Sequence, residues 1–213
     1  GRLGPEHRAD PLRWKRPRRI FVNSMSDLFH EKLTNEEIAA VFGVMAAAPQ
    51  HTFQVLTKRA ARMVEWFRWT VDHDLDTSGH AATWFPFGVA AAKYGIGTTE
   101  PLRQTVASHP RFFGGYTRWP IPNVWIGVSV EDQATADERI PLLLQCPAAV
   151  RWVSYEPALG PVDFRAVQMS DGDTLGDGLF SHKTGTGISW VVVGGESGPG
   201  ARPFDLAWAR STS

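Results

Sequence analysis

The chain has 213 residues, of which 22 are basic and 22 are acidic, so its formal net charge is zero. This length suits a single domain with its own core, and the balanced charge excludes a globally basic nucleic-acid-binding protein. The one cysteine, Cys146, excludes a disulfide framework and any cysteine-rich metal site built from these residues alone. We therefore expect a cytoplasmic protein in which polyanion binding requires a local basic patch.

The two ends of the sequence show no targeting segment. The start, from Gly1 onward, lacks the apolar stretch of a signal peptide, and no run of about 18 apolar residues predicts a membrane span. The sequence does not begin with Met, and it stops at Ser213, shortly after a predicted helix begins. We expect a fragment of a longer protein, incomplete at both termini.

Five short segments rich in Val, Ile, Phe and Trp predict β-strands. They are Ile20–Met25, Thr52–Thr57, Asn123–Val130, Val150–Ser154 and Ile188–Gly195. Several are almost continuously apolar, which is typical of parallel strands that are covered on both faces. On this interpretation Trp125, Trp152 and Trp190 are core residues within strands and not a stacking platform.

Helical segments separate the strands. They are a helix after the capping box Thr34–Glu37 that ends at Pro49, one from Arg59 to about Asp74, one from Asp132 to Arg139 that extends through Pro141 to Gln145, and a last one capped by Asp205. This alternation predicts one α/β domain over residues 1–213 with mainly parallel strands. Two irregular insertions, at about 77–122 and 167–187, interrupt the alternation.

Polar residues follow every predicted strand, and ligands of parallel α/β proteins bind at the carboxyl ends of the strands. As candidate catalytic residues we take Asp27, Lys58, Glu131 and Glu156, one after each of the first four strands. The alternative is that polar residues at these positions only cap helices, a role open to Asp27, Asp132 and Ser197. A shared pocket explains better why all five strand ends are polar.

The sharpest local pattern follows the fifth strand. Gly194 and Gly195 lack side chains, so they allow a ligand to approach the backbone closely, and Glu196 and Ser197 follow them with polar groups. These four residues are the candidate cofactor-binding set, with a purely structural tight turn as the alternative. The sequence contains neither a G-x-G-x-x-G fingerprint here nor a P-loop lysine.

Two carboxylates can divide acid and base roles, and Glu156 and Glu196 both follow neighbouring strands. A hydrolase or lyase that uses this pair is therefore one hypothesis. The same pair can instead bind a cationic or hydroxylated ligand without catalysis. The spacing in sequence does not decide between these hypotheses.

A basic run precedes the first strand. It consists of Arg13, Lys15, Arg16, Arg18 and Arg19, interleaved with Trp14. Such a run can bind nucleic-acid phosphates while the tryptophan stacks on a base. The alternative is a solvated terminus without a partner.

The chain resembles the phage Gp37/Gp68-like protein family (DUF5131). The segments that carry the resemblance are RIFVNSMSDLFHE, APQHTFQVLTKR, PNVWIGVSVEDQ with ADERIPLLL, VSYEPALGP and VVGGESGPGARP. The resemblance implies a partial (β/α) barrel similar to that of radical S-adenosylmethionine enzymes, in which three thiolates hold a [4Fe–4S] cluster. It also implies that Gly194, Gly195 and Glu196 contact the cosubstrate.

The sequence departs from this family at the cluster motif. No cysteine precedes Arg18, and Cys146 alone cannot hold a cluster. We therefore expect a catalytically incomplete barrel wall with part of a binding pocket, the remaining elements being supplied by segments outside the sequence or by a partner chain. Its substrate is unknown, and the basic run favours a nucleic acid or nucleotide.

Overall fold

The computed structural model describes residues 10–22, 26–72, 120–169, 176 and 187–210. Most of both predicted insertions therefore lies outside the described residues, as do Asn23, Ser24 and Met25 at the end of the predicted first strand. No helix in the described part of the chain is long and apolar enough to cross a membrane.

Five strands form one parallel sheet, and their order in space follows their order in the chain. The strands are β1 Arg19–Val22, β2 Thr52–Thr57, β3 Val124–Ser129, β4 Val150–Tyr155 and β5 Trp190–Val193. All four neighbouring pairs are parallel, so the carboxyl ends share one edge of the sheet. This confirms the predicted α/β fold. A sequential parallel order is also compatible with part of a (β/α) barrel.

Within the described residues, the strand predictions located every strand but not every strand end. β2 matches its prediction, whereas β4 continues one residue further, to Tyr155. β5 is shorter than predicted and covers only Trp190–Val193. Beyond this strand the amide of Gly194 donates to the carbonyl of Tyr155 at 3.2 Å, and the carbonyl of Gly194 accepts from the amide of Ala158 at 2.9 Å.

The helices also follow the predicted pattern. They are α1 Asp10–Arg13, α2 Asn35–Ala47, α3 Ala60–Asp72, α4 Gln133–Gln145 and α5 Leu206–Arg210, with a 3₁₀ helix at Phe164–Ala166. The capping box at the start of α2 is present, because Thr34 accepts from the amide of Glu37 and the Glu37 carboxylate accepts from the amide of Thr34. Pro141 lies inside α4, which continues to Gln145 as predicted.

The core lies between the sheet and α2, α3 and α4. One face of the strands supplies residues such as Val55, Ile126 and Val153, and the helices cover it with side chains such as Phe42 and Trp66. The rings of Phe42 and Trp66 are stacked with centroids 4.4 Å apart. These helices all pack on one face of the sheet and do not cover the carboxyl ends of the strands. The loops that leave each strand therefore meet at that edge.

The opposite face of the sheet carries aromatic residues. Trp152 is buried and lies across Gly127, where a Cβ atom would overlap with the indole ring. Trp190 stacks on Trp152 with centroids 5.4 Å apart, meets the edge of Trp125, and is 40% exposed. The interpretation of all three tryptophans as core residues is therefore wrong for Trp190, because it lies in β5, the last strand of the described sheet, which has a neighbouring strand on one side only.

Candidate functional site

Asp27 acts as a clamp between the first two strand exits. Its carboxylate accepts hydrogen bonds from the Thr57 hydroxyl at 2.8 and 2.9 Å and from the backbone amides of Phe29 and Lys58. Arg59 adds an ion pair at 3.1 Å. The side chain of Asp27 is only 12% exposed, so both carboxylate oxygens are engaged within the protein. Asp27 thus does not cap a helix, but it stabilises the start of the strand-exit edge.

Lys58 and Glu131 meet across the exits of β2 and β3. Lys58 Nζ lies 2.5 Å from Glu131 Oε1, and Arg139 Nη1 lies 3.0 Å from Glu131 Oε2. Arg139 also donates to the carbonyl of Ser129, at 2.7 Å. Glu131 and Arg139 are largely buried, whereas the Lys58 side chain is 56% exposed. The carboxylate is therefore held between two cations, and the ammonium group of Lys58 faces solvent.

Two serines connect this cluster to Glu156. The Ser129 hydroxyl lies 3.3 Å from both Glu131 Oε1 and the backbone carbonyl of Glu156. The Ser154 hydroxyl donates to Glu156 Oε2 at 3.1 Å. Glu156 is otherwise exposed, and it precedes Pro157 through a cis peptide bond. Its carboxylate therefore lies at the solvent-exposed carboxyl ends of the strands, where it accepts a hydrogen bond from the Ser154 hydroxyl.

The space above both glycines after β5 is filled by side chains of the protein. A Cβ atom on Gly194 would overlap with the carboxylate of Glu156, and one on Gly195 would lie 2.8 Å from the Cβ of Phe204. The absence of a side chain here thus lets the β4 and β5 exits pack together. A ligand that approaches either glycine needs Glu156 or Phe204 to move aside.

Glu196 is engaged by Arg202. The guanidinium forms two charged hydrogen bonds, Nε to Oε2 at 2.8 Å and Nη2 to Oε1 at 2.9 Å, and the Arg202 amide adds a third. These bonds lower the pKa of Glu196 to about 2. The carboxylate is thus ionised at neutral pH and folds the loop after β5 back on itself. Ser197 is exposed, and α5 starts after Asp205, so Ser197 does not cap that helix.

These contacts join some of the predicted residues, together with Arg139, Ser129 and Ser154, and leave other predicted residues apart. We call the joined set the exit layer: Lys58, Glu131, Arg139, Ser129, Ser154, Glu156 and Gly194. Asp27 borders it through the neighbouring residues Thr57 and Lys58. Glu196 forms a separate pair with Arg202, whereas the Glu156 carboxylate accepts from Ser154.

The sequence reasoning missed two residues that shape this edge. Arg139 lies in α4, where it forms an ion pair with Glu131. The sequence gave one signal for this pair: Arg139 follows the carboxylate at the end of β3 by about two helical turns. Phe204 covers Gly195, and its position in a Gly- and Pro-rich loop gave no signal at all.

The basic run lies at the other edge of the sheet. Arg19 is the first residue of β1, and the amide of Arg18 donates to His51, which directly precedes β2. All five basic residues of the run are exposed. Arg18 lies over the Trp14 ring, 4.3 Å from its centroid, so one face of this ring is already occupied. The run is thus separated from the exit layer by the length of the strands.

The thiol of Cys146 does not fit a metal or cluster site. It is buried at the end of α4, where it donates to the carbonyl of Leu142, and burial raises its pKa to about 12. It is therefore a neutral packing residue at physiological pH. Among the described residues, no three His, Cys, Asp or Glu side chains are arranged to hold a metal ion.

Comparisons with known proteins assign the chain to one family. No curated protein matches the sequence, and no solved structure matches it. The family described as "Protein of unknown function (DUF5131)" matches residues 1–213, the whole chain. The chain therefore belongs to the DUF5131 family.

Proposed function

We propose that this chain is the ligand-binding wall of a phage Gp37/Gp68-like barrel of the radical S-adenosylmethionine type, and that its exit layer binds S-adenosylmethionine. One observation carries the proposal: charged and hydroxyl side chains from the exits of β2, β3 and β4 are in direct contact along one edge of a sequential parallel sheet. Ligands of parallel α/β folds bind at this edge. The family resemblance supplies the identity of the ligand.

The residues of the exit layer have different roles in this proposal. Lys58 and Glu156 are exposed, so they are the side chains that contact the ligand, the ammonium group binding a carboxylate and the carboxylate accepting from amino or hydroxyl groups. Glu131 is engaged by Lys58 and Arg139, and it orients Lys58. Asp27 is a structural clamp, and Gly194 leaves room for Glu156.

The residues present do not fit a [4Fe–4S] cluster. Such a cluster needs three thiolates, whereas these 213 residues contain one cysteine, which is buried and protonated. A cluster would require cysteines outside this sequence or in a partner chain. The function that these residues can supply by themselves is therefore binding.

The sequence left two alternatives open, a hydrolase or lyase and a non-catalytic binding module, and the structure bears on them differently. In a hydrolase or lyase, Glu156 and Glu196 would divide acid and base roles, but Arg202 keeps Glu196 ionised and so leaves it only the role of base. A non-catalytic binding module agrees with the internal engagement of Asp27 and Asp132, the latter being the N-cap of α4. Binding without catalysis is also all that our proposal requires.

A second candidate function is the binding of nucleic acid at the amino edge of the sheet. The five basic residues Arg13, Lys15, Arg16, Arg18 and Arg19 are all exposed within seven positions of the chain. Such clustering favours phosphate contacts, and these weaken steeply with salt. Because this segment lies opposite to the exit layer, we treat the two functions as separate.

Equilibrium dialysis with S-adenosylmethionine tests the principal proposal. We expect saturable binding by the wild-type protein and at least about tenfold weaker binding by Glu156→Gln, since a charge-assisted hydrogen bond contributes roughly 1.5–3 kcal/mol. The matched control is Glu65→Gln, which removes an exposed carboxylate from α3 and should leave the affinity unchanged. Absence of saturable binding, or equal affinity in wild type and Glu156→Gln, would overturn the proposal.

A further inference from the structure

A buried histidine, His51, connects the start of the described chain to the amino edge of the sheet. Only 1% of its surface is exposed, although the residue directly precedes β2. Its Nδ1 atom accepts a hydrogen bond from the backbone amide of Arg18 at 3.1 Å. Its Nε2 atom lies 2.9 Å from the backbone carbonyl of Pro11 and 3.4 Å from the side-chain amide of Gln50.

The two backbone partners select one tautomer of the neutral imidazole. The Gln50 nitrogen, 3.4 Å from Nε2, is itself a donor and donates to the carbonyl of Trp14. An amide N–H faces Nδ1, so this atom must present a lone pair, whereas a carbonyl oxygen faces Nε2, so that atom must carry the proton. The ring is thus neutral in the tautomer protonated at Nε2. A second proton, on Nδ1, would point at the amide hydrogen of Arg18 and remove that hydrogen bond.

The segment held by His51 carries most of the basic run. The Trp14 ring meets the imidazole edge-on at 5.9 Å, and Arg18 lies over the same indole ring. Gln50 donates to the carbonyl of Trp14 at 3.2 Å, and Leu12 packs against the core. The hydrogen bonds that join His51 to Pro11 and Arg18 thus close a loop that fixes the backbone from which the exposed basic side chains project.

We propose that His51 is an acid-sensitive latch that holds residues 11–18 on the amino edge of the sheet and releases them when the imidazole takes up a proton. The charged groups on the elements packed against it are Asp10, Arg13, Lys15, Arg16, Arg18 and Arg19. Five of these six are cationic, so an imidazolium would add charge to an already positive region. The helix before His51 ends in alanines, and β2 carries no ionisable side chain, so the sequence on that side supplies no carboxylate to compensate.

The latch has a consequence for polyanion binding, and this part rests on the proposed nucleic-acid function. A basic surface that only gains charge binds nucleic acid more tightly as the pH falls. Here the same proton releases the segment that arranges the basic residues, so preorganisation is lost. The affinity should therefore fall on acidification, which is opposite in sign to a simple charge effect.

A spin label at residue 15 tests the latch directly. The label is attached through Lys15→Cys, an exposed position, in a Cys146→Ala background that removes the other thiol. We expect a restricted label at about pH 8 and a mobile label at about pH 5, the range over which histidine side chains act as pH switches. His51→Gln is the matched variant, because its amide can accept and donate as the neutral ring does but does not titrate.

The outcomes separate the latch from the proposed polyanion function. His51→Gln should keep the label restricted at both pH values, and His51→Ala should free it at both. If His51→Ala fails to fold, the long-range ¹H–¹⁵N spectrum of the wild-type ring decides, since the latch requires the tautomer protonated at Nε2 at about pH 8. A label of equal mobility at both pH values in the wild type would overturn the latch.

The polyanion arm uses a short single-stranded DNA at constant salt. The wild type should bind about threefold or more weakly at about pH 5 than at about pH 8, whereas His51→Gln should not weaken. Tighter binding by the wild type at the lower pH would overturn the coupling. Absence of DNA binding at both pH values would reject the nucleic-acid function. The spin-label measurement alone would then decide whether His51 acts as a latch.

Discussion

At the scale of single residues, the two carboxylates Glu156 and Glu196 look equivalent in the sequence but have different partners. Glu156 accepts one hydroxyl hydrogen bond and is otherwise exposed, whereas Glu196 is held by the guanidinium and the amide of Arg202. The difference arises because Arg202 lies six residues after Glu196, in a loop that turns back through Gly198 and Gly200, both with positive φ. The residues at the end of β5 do not predict that this loop brings Arg202 back to Glu196.

The pH titration of Glu196 should reveal this partner. We expect its carboxyl carbon to titrate in NMR with a midpoint of about 2, below its ordinary value of 4.5, because Arg202 stabilises the ionised form. Since the folded-state pKa is depressed, the pair stabilises the loop fully above the ordinary pKa and loses this contribution as the pH falls through about 2. The side chains are solvent-exposed, so the loop rather than global stability responds.

Two variants of Arg202 serve as controls for that titration. Arg202→Gln should return the midpoint to the ordinary range, because both charged hydrogen bonds are lost. Arg202→Lys keeps the charge but not the two-pronged geometry, so its midpoint should lie between the two. An unchanged midpoint in Arg202→Gln would show that another group holds Glu196 ionised.

At the scale of elements, the packing of Trp152 across Gly127 predicts a position where a single methyl group is not tolerated. In Gly127→Ala the new Cβ overlaps with the buried indole, so Trp152 must move and its stacking with Trp190 is disturbed. We expect a loss of about 1–3 kcal/mol in the free energy of unfolding, the usual cost of overpacking. Urea unfolding measures this loss, and near-UV circular dichroism should report a weaker tryptophan signal.

Gly160→Ala is the matched control for this element. The nearest atom to a Cβ at Gly160 is the Cβ of Asp132, at 3.7 Å, which is an ordinary contact distance. Its unfolding free energy should stay within about 0.5 kcal/mol of the wild-type value. Equal losses of stability in the two alanine variants would show that the overlap with the indole does not cause the loss at residue 127.

The elements themselves could be predicted because their signals are local. The capping residues Thr34 and Asp132 lie within three residues of their partners, so the helix starts were visible in the sequence. The two faces of β5 were not visible, because all four residues of Trp190–Val193 are apolar and alternation gives no contrast. This is why the exposed position of Trp190 was missed.

At the scale of the whole molecule, the parallel topology made much of the site predictable. Once the strands are parallel and in sequence order, Lys58, Glu131 and Glu156 must lie on one edge, and the structure connects them. The sequence did not reveal which carboxylates are already bound by other groups of the protein, as Asp27 is by Thr57 and Glu196 is by Arg202. Those partners come from residues that are distant in sequence or turned back by a loop, so only the folded chain brings them together.

The ion pairs of Glu131 with Lys58 and Arg139 connect the ends of β2 and β3 to α4, and they lead to a prediction for the stability of the whole domain. Glu131→Gln keeps the shape of the side chain but leaves Arg139, which is 13% exposed, without its carboxylate. We expect a loss of about 2 kcal/mol in the free energy of unfolding by urea, less than for a fully buried pair because Lys58 is solvated. The matched variant is Glu138→Gln, whose exposed carboxylate lies 3.7 Å from the same guanidinium and should contribute less than about 0.5 kcal/mol. Equal losses in the two variants would mean that Glu131 does not join these elements, whereas a selective loss assigns it the central place in the exit layer.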